Sequence, residues 1–435
     1  VRSLLPILCT LVLTACGGGG GGSSTPVTPS TTTLTQVMAY QNADVVSQIF
    51  NTQVADLNGD GLEDVVVSGW ASEPSGSTLS PHGKVPVKIL IQQSNGSLQD
   101  QTDTLLGSGN NMIWGSQRII IADFDNDGKP DIFLGGFQDS PGQGDILCCT
   151  VQTSVMFWNN GSSFSRYDFT DPVWAHAVCI GDLTGTGLPS IVMGAANSFY
   201  SNIYVNNGNR NFTMTHTTHW IGSGGQCNVI RDATSGNVAI ISGASGFNQQ
   251  AGYDGVIQVF DSHLNFISMS GLPGSEDPNN YNPAIHDIVN IISIDLNNDG
   301  LMDMVLTDNN TDVNNGTFTA LINQGNFTFS NQTSTYFPNQ TNNLYFQYYT
   351  RTLTLNNQSV IFASTVNTNW NFSTLPSMWL LNNGAFSAYQ QLTLSNDVGT
   401  GYIFPTVYKT STGSLSVLMI QNNNNNQYEF YTRAF

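Results

Sequence analysis

Three nine-residue segments set side-chain oxygens at fixed intervals: Asp56, Asn58, Asp60 and Asp64; Asp123, Asp125, Asp127 and Asp131; Asp295, Asn297, Asp299 and Asp303. The oxygens fall at positions 1, 3, 5 and 9, and position 6 is glycine each time (Gly61, Gly128, Gly300). In such a turn alternate residues point inward, glycine takes the bend a Cβ would obstruct, and the backbone carbonyl of position 7 (Leu62, Lys129, Leu301) adds another oxygen. A wrap of six or more hard oxygen ligands without Cys or His suits Ca2+ better than zinc or copper. One copy alone would read equally well as an Asx-rich turn holding no metal. The same register three times favours the ion, so three calcium sites are expected.

An EF-hand has a similar opening but needs a bidentate Glu at position 12 and helices on both sides. Position 12 here is Val67, Leu134 and Leu306. Short apolar runs with β-branched residues flank each loop, such as Val65-Val66-Val67 and Ile132-Phe133-Leu134, and these read as strands. Each loop therefore joins two strands of a hairpin.

The same context recurs in weaker form. Asp182-Leu-Thr-Gly-Thr-Gly-Leu-Pro-Ser190 keeps the glycines but carries hydroxyls where carboxylates stood, and the copy at Asp232 to Gly236 is shortened. The segments at 353–362 and 407–419 are plain hairpins, and no calcium is expected in any of these four. A second hairpin follows each copy, an apolar strand running into an Asn/Gly turn, as at Asn159-Asn160-Gly161 and Asn382-Asn383-Gly384. Asn-Gly between apolar strands is a strong hairpin signal because both turn residues take positive φ. Each unit is thus four antiparallel strands.

Seven such units in series predict an all-β fold, a seven-bladed β-propeller of four-stranded antiparallel blades, whose radial closure leaves only short protected edges. The seventh unit ends after its third strand, 427–435. Residues 34–40 precede the first metal hairpin and are expected to supply its missing fourth strand, closing the ring by pairing N- and C-terminal strands. An open solenoid is the structural alternative.

The Asp-x-Asn/Asp-x-Asp-Gly-x-x-Asp loops, each followed by an Asn-Asn-Gly-type hairpin, resemble the FG-GAP/VCBS repeats of integrin-alpha-like propellers. The resemblance extends over about residues 34–435 and is strongest in units 1, 2 and 5. It implies calcium in the aspartate loops and a scaffold used mostly for recognition, with some catalytic members.

The N-terminus suggests export. Arg2, an apolar stretch from Leu4 to Val12 and then Leu13-Thr-Ala-Cys16 suit a signal peptide, since the stretch is too short to span a bilayer. Leu-Thr-Ala-Cys resembles a bacterial lipobox, which implies cleavage after residue 15 and lipidation of Cys16; a secreted protein with an incidental Cys is the alternative. Residues 16–33 then form a Gly/Ser/Thr/Pro linker, and 34–435 form the propeller. A bacterial cell-envelope address follows, lipid-anchored at the outer membrane or cell surface and touching the membrane through the lipid alone.

The chain has a net charge of −19 with only 9% charged residues, against about 25% in ordinary domains. Such an acidic chain argues against nucleic acid and anionic head groups as partners. Four cysteines follow the signal: Cys148, Cys149, Cys179 and Cys227. Their even number suggests disulfides in an oxidising compartment, with three pairings open, and buried free thiols remain the alternative. Cys179 and Cys227 lie in strands just before degenerate loops, where a bridge would replace a metal's contribution.

Catalytic signatures are sparse. His216-Thr-Thr-His219 lacks the Glu and the helix of a zinc protease, and no Gly-x-Ser-x-Gly elbow occurs. Asp139, Asp145, Glu276, Asp277 and Asp308 fall in expected loops, where two of them could pair for glycoside chemistry. Trp70, Phe137, Phe247 and Trp370 are expected on loops of the face opposite the metal hairpins. Trp114, Trp174 and Trp220 precede inner strands. Indoles amid amides suit sugar rings, and packing between blades is the competing role. The expected function is a monomeric calcium-binding surface lipoprotein that recognises a glycan or a cell-surface protein. A carbohydrate-active enzyme, lyase or glycosidase, is the alternative.

Overall fold

The computed structural model describes residues 34–41, 47–72, 84–136, 152–173, 175–195, 201–217, 226–243, 255–273, 287–310, 315–338, 345–355, 358–366, 377–382, 384–391, 402–422 and 427–434. Among them lie seven four-stranded antiparallel sheets and one two-stranded ladder. This is an all-β protein with the organisation of a propeller.

Six of the sheets are meanders whose strands follow chain order, and the seventh takes its fourth strand from the start of the described residues. The first comprises Ser47–Ala55, Asp64–Ser72, Lys88–Gln92 and Leu98–Asp100, and the second Ser116–Ala122, Asp131–Gly136, Gln152–Asn159 and Phe164–Val173. The third runs through Ala175–Gly181, Ser190–Ala195, Ser201–Asn206 and Phe212–Thr217, and the fourth through Cys227–Arg231, Val238–Gly243, Gly255–Phe260 and Phe266–Gly271. The fifth holds Asp287–Ile294, Asp303–Asn310, Asn315–Asn323 and Phe329–Asn331, and the sixth Tyr345–Leu355, Gln358–Val366, Ser377–Asn382 and Ala385–Gln391. The seventh is built from Tyr402–Lys409, Leu415–Asn422 and Gln427–Ala434, with Thr35–Gln41 as its fourth strand. Thr35–Gln41 runs antiparallel to Gln427–Ala434 in a register that sets Thr35 opposite Thr432 and Gln41 opposite Gln427.

Packing explains why the second strands are continuous apolar runs with no polar alternation. Val65, Val66 and Val67 are all buried, as are Ile132, Phe133 and Leu134 and the run Val238 to Ile241. Successive side chains point to opposite faces of a strand, and here both faces meet another sheet. Val66 joins Ile119, Ile132 and Leu134 of the second sheet. Its neighbours Val65 and Val67 join Leu418, Ile420, Tyr428 and Phe430 of the seventh. Similar cores lie between each other consecutive pair of sheets. Close approach is also needed there: a Cβ on Gly181 of the third sheet would stand 2.5 Å from Cγ1 of Val229 in the fourth.

Two features fall outside the expected pattern. Single-turn helices, Thr102–Leu106 and Thr333–Tyr336, follow the fourth strands of the first and fifth sheets. Val85–Pro86 pairs with Met112–Ile113 in the extra ladder. No helix among the described residues is long and apolar enough to cross a membrane. Residues 1–33, with the expected signal, Cys16 and linker, lie outside the described residues.

Candidate metal-binding loops

The three carboxylate loops occupy the same place, between the first and second strands of the first, second and fifth sheets. Position 1 directly follows the first strand, and position 9 is the first residue of the second. Local chemistry shapes the turn. Position 6 has φ of 83°, 84° and 85° at Gly61, Gly128 and Gly300, and position 4 is also left-handed, at Gly59, Asn126 and Asn298. Asn and Gly are the residues that reach this region at low cost.

The position 1 carboxylate organises the loop by accepting backbone N–H groups. Asp56 accepts from Gly59 (2.8 Å), Asp60 (3.1 Å) and Gly61 (2.8 Å). Asp123 accepts from Asp127 and Gly128 at 3.0 and 2.8 Å, and Asp295 from Asp299 and Gly300 at 3.2 and 3.0 Å. At position 3, Asn58 and Asn297 accept the N–H of position 5 and donate their side-chain amide to its carboxylate, Asp60 or Asp299. Asp125 accepts the N–H of Asp127 at 3.2 Å. The N–H groups of Leu62, Lys129 and Leu301 at position 7 donate to Asp60, Asp127 and Asp299.

Position 9 behaves differently. Asp64, Asp131 and Asp303 are fully buried. Each accepts one N–H from position 2, from Leu57, Phe124 or Leu296 at 2.8 to 3.0 Å. Each accepts a second at 2.8 Å from the last residue of the third strand, Gln92, Asn159 or Asn323. This carboxylate thus ties the metal hairpin to the second hairpin of its sheet. Burial pushes Asp64 up to about 6, with Asp60 and Asp56 adding repulsion against the pull of the two N–H groups. Burial likewise pushes Asp131 up to about 7 and raises Asp303. Burial thus disfavours the ionised form of the position 9 carboxylates, a penalty that a bound cation relieves.

The donor set fits calcium. Asp123, Asp125 and Asp131 bring one oxygen each within 4.8 Å of one another, and the three loops share one backbone course. The third sheet offers an internal comparison. Asp182 accepts from Thr184, Gly185, Thr186 and Gly187, and Gly185 and Gly187 have φ of 80° and 79°. The turn therefore forms without the other carboxylates. Ser190 stands at position 9 and accepts the Asn206 N–H.

Residues outside the nine-residue pattern connect the loops around the molecule. The Asn159 side-chain amide of the second sheet donates to the Leu57 carbonyl of the first loop at 2.8 Å. Asn206 of the third donates to the Phe124 carbonyl of the second loop at 2.7 Å. Arg231 of the fourth reaches the Leu183 carbonyl of the degenerate loop at 3.2 Å, and Gln92 of the first sheet reaches Lys409 of the seventh at 2.9 Å. Glu63, at position 8 of the first loop, pairs with Arg351 and accepts the Lys409 N–H. The Asn of the Asn-Asn-Gly turn was legible as a hairpin residue; its reach to the preceding loop was not.

Cys179 and Cys227 form a disulfide between the first strands of the third and fourth sheets, where the loops keep only the leading carboxylate, Asp182 or Asp232. Cys148 and Cys149 lie outside the described residues. Of the aromatics expected to meet a ligand, Trp114 is 42% exposed, with the Lys84 ammonium 5.3 Å from its ring centroid. Trp70 is corrected: it lies in the strand Asp64–Ser72, on no loop, and is buried against Gly115. Trp174, Trp220, Phe137, Phe247 and Trp370 lie outside the described residues. So do Asp139, Asp145, Glu276 and Asp277, and Asp308 is corrected from loop to strand, within Asp303–Asn310.

Residues 56–134 match the family model of the FG-GAP-like repeat. The match spans the first two carboxylate loops, so the chain carries an FG-GAP-like repeat. Among solved structures, a protein from Lactobacillus plantarum is similar at 9% identity, over 83% of this chain and 92% of that one, with a TM-score of 0.46. A Trypanosoma rangeli sialidase in complex with sialic acid is similar at 10% identity, over 93% and 59%, with a TM-score of 0.40. AofleA of Arthrobotrys oligospora is similar at 9% identity, over 70% and 79%, with a TM-score of 0.39. Likeness at this level assigns neither an activity nor a ligand.

Proposed function

We propose that this chain is a calcium-binding, seven-bladed propeller, closed through its N- and C-terminal strands and displayed on the bacterial cell surface to recognise a glycan or a protein partner. The observation that carries the calcium assignment is the triplicated loop: side-chain oxygens at the same positions, on the same backbone course, in three sheets. In this reading Asp56, Asn58, Asp60 and Asp64 hold one ion, with their counterparts in the second and fifth sheets holding two more, and the position 7 carbonyls completing each set. Bound calcium would supply positive charge among carboxylates that burial and mutual repulsion leave poorly stabilised. The chain's own residues preform the turn and tie it to the neighbouring sheet.

Closure into a seven-bladed ring is supported by the pairing of Thr35–Gln41 with Gln427–Ala434 and by the core shared between the seventh and first sheets. Export is supported by the Cys179–Cys227 disulfide, a bond that persists in oxidising compartments. Signal peptide 1–15, lipidated Cys16 with linker 16–33 and propeller 34–435 complete the proposal. Recognition of a sugar is supported by the exposed Trp114 indole beside Lys84.

Titration calorimetry of the metal-free chain with Ca2+ tests the calcium reading: three sites are expected, and one or none would overturn it. A glycan array with and without calcium tests recognition, with binding lost in Trp114→Ala as the supporting result. Cys16→Ala should release the protein from the membrane fraction; sedimentation with membranes after a high-salt wash would reject the anchor.

A further inference from the structure

The second loop differs from the first and third in two ways that belong together. It carries four carboxylates, Asp123, Asp125, Asp127 and Asp131, where each of the others has three and an Asn at position 3. It also meets two basic side chains. The Lys129 ammonium, from position 7 of the same loop, donates to Asp127 Oδ2 at 2.7 Å. In the other loops position 7 is Leu, and the matching oxygen of Asp60 or Asp299 accepts a neutral amide instead. Arg210 comes from the second hairpin of the third sheet. Its Nε donates to Asp125 Oδ2 at 2.7 Å and its Nη1 to Asn160 Oδ1 at 2.9 Å. Its guanidinium lies 5.2 Å from the centroid of the Trp158 ring, within cation–π range. The Asp125 side chain is 9% exposed and that of Arg210 33%, so water screens this pair only in part.

We infer that Lys129 and Arg210 are built-in counter-cations that make the second loop the weakest of the three calcium sites, a gated site filling only after the other two. This rests on the calcium reading above. All four carboxylate oxygens of Asp125 and Asp127 are engaged: by the Asp127 N–H and Arg210, and by the Lys129 N–H and Lys129 ammonium. A divalent ion entering this loop competes with an ammonium at position 5 and lies near a fixed guanidinium at position 3. In the first and third loops it displaces only a neutral amide. Two like charges a few ångströms from the ion cost affinity, and the loss is largest where burial keeps screening low. Lys129 is the movable part, since its side chain is 40% exposed on a flexible stem. Arg210 is the fixed part, held by Asn160 and Trp158, and it carries the state of the second loop to the third sheet. Calcium concentration would then act in two stages, first stabilising the first and fifth sheets and later freeing the Lys129 latch.

Calorimetric titration of the full metal-free chain with Ca2+ decides the matter, with thermal melting as an independent readout. The wild type should show two tighter sites and one weaker. Asp127→Ala should abolish only the weaker one. Lys129→Leu, which restores the residue of the other loops, should tighten that site by roughly two- to fivefold, the scale of an exposed ion pair. Arg210→Gln should tighten it by about tenfold, because the guanidinium is less screened. Asn58→Asp gives the first loop the second loop's carboxylates without a counter-cation, and should tighten it. Loss of a tighter site in Asp127→Ala, or a weaker site that Lys129→Leu and Arg210→Gln leave unchanged or weaken, would overturn the inference while leaving calcium binding intact. Absence of any calcium heat in the wild type would overturn both readings.

Discussion

At the residue scale, the oxygens of one loop divide into two kinds. Positions 1, 3 and 5 lie in the turn, half-buried or exposed, whereas Asp64, Asp131 and Asp303 are buried and accept N–H groups from position 2 and from the third strand. Sequence spacing put all of them in one ligand set, because spacing reports which residues can face an ion but not which are enclosed by neighbouring sheets. The division has a measurable consequence in metal-free protein. Asp131→Asn keeps the shape but sets an amide donor against the Phe124 or Asn159 N–H. It should destabilise by about 1–3 kcal/mol in urea unfolding, the cost of a buried donor left without an acceptor. Asp127→Ala should change metal-free stability by less than about 0.5 kcal/mol, as surface substitutions do. Dependence on pH follows from the same burial. A carboxyl raised to about 6 or 7 in the folded state binds protons more tightly folded than unfolded. Its contribution is therefore fully present below the unfolded value near 4 and is lost as pH rises through 6 to 7. Metal-free protein should melt higher at pH 5 than at pH 7.5, and calcium, which needs the ionised carboxylates, should reverse that order. The same ranking at both calcium levels would refute this account.

At the element scale, hairpins were legible and their mutual contacts were not. Apolar runs flanking a Gly/Asp loop, then Asn-Gly, are local signals, and the strands fall where they point. The helices Thr102–Leu106 and Thr333–Tyr336 are single turns with no amphipathic period to detect. Asn159 and Leu57 lie 102 residues apart, and no local pattern relates them. That contact adds to the apolar core between the first and second sheets. Asn159→Ala removes donors to the Leu57 and Pro130 carbonyls and the acceptor of the Gly161 N–H. A loss of about 1–3 kcal/mol is expected for a buried network of this kind, with lower calcium affinity at the first loop, whose position 2 carbonyl loses its anchor. The third and fourth sheets rely on other ties, the Cys179–Cys227 bridge and Arg231. Replacing both cysteines with Ala should cost about 2–4 kcal/mol. Reductant should lower the stability of the wild type by a similar amount and leave the double variant unaffected.

At the scale of the whole molecule, the unit count followed from repetition, and the place of residues 34–40 followed from a deficit, a seventh unit one strand short. What the sequence could not convey is how aromatic that last junction is. Tyr40 lies 5.3 Å from the Tyr428 ring and 5.8 Å from Phe430, and Phe50 of the first sheet meets the same two rings edge-on at 5.1 and 5.9 Å. The N-terminal strand thus adds a backbone ladder to Gln427–Ala434 and covers rings on which the first sheet also packs. Deleting residues 17–30 should leave melting unchanged, because only the expected linker is lost. Deleting 31–40 should wet the faces of Tyr428 and Phe430 and leave Gln427–Ala434 as an open edge, a template for pairing with another chain. The expected result is a melting temperature several degrees lower, with concentration-dependent association visible in sedimentation. If the longer deletion melts like the full chain and stays monomeric, the N-terminal strand does not close the proposed ring, and the seven-blade count must be revisited.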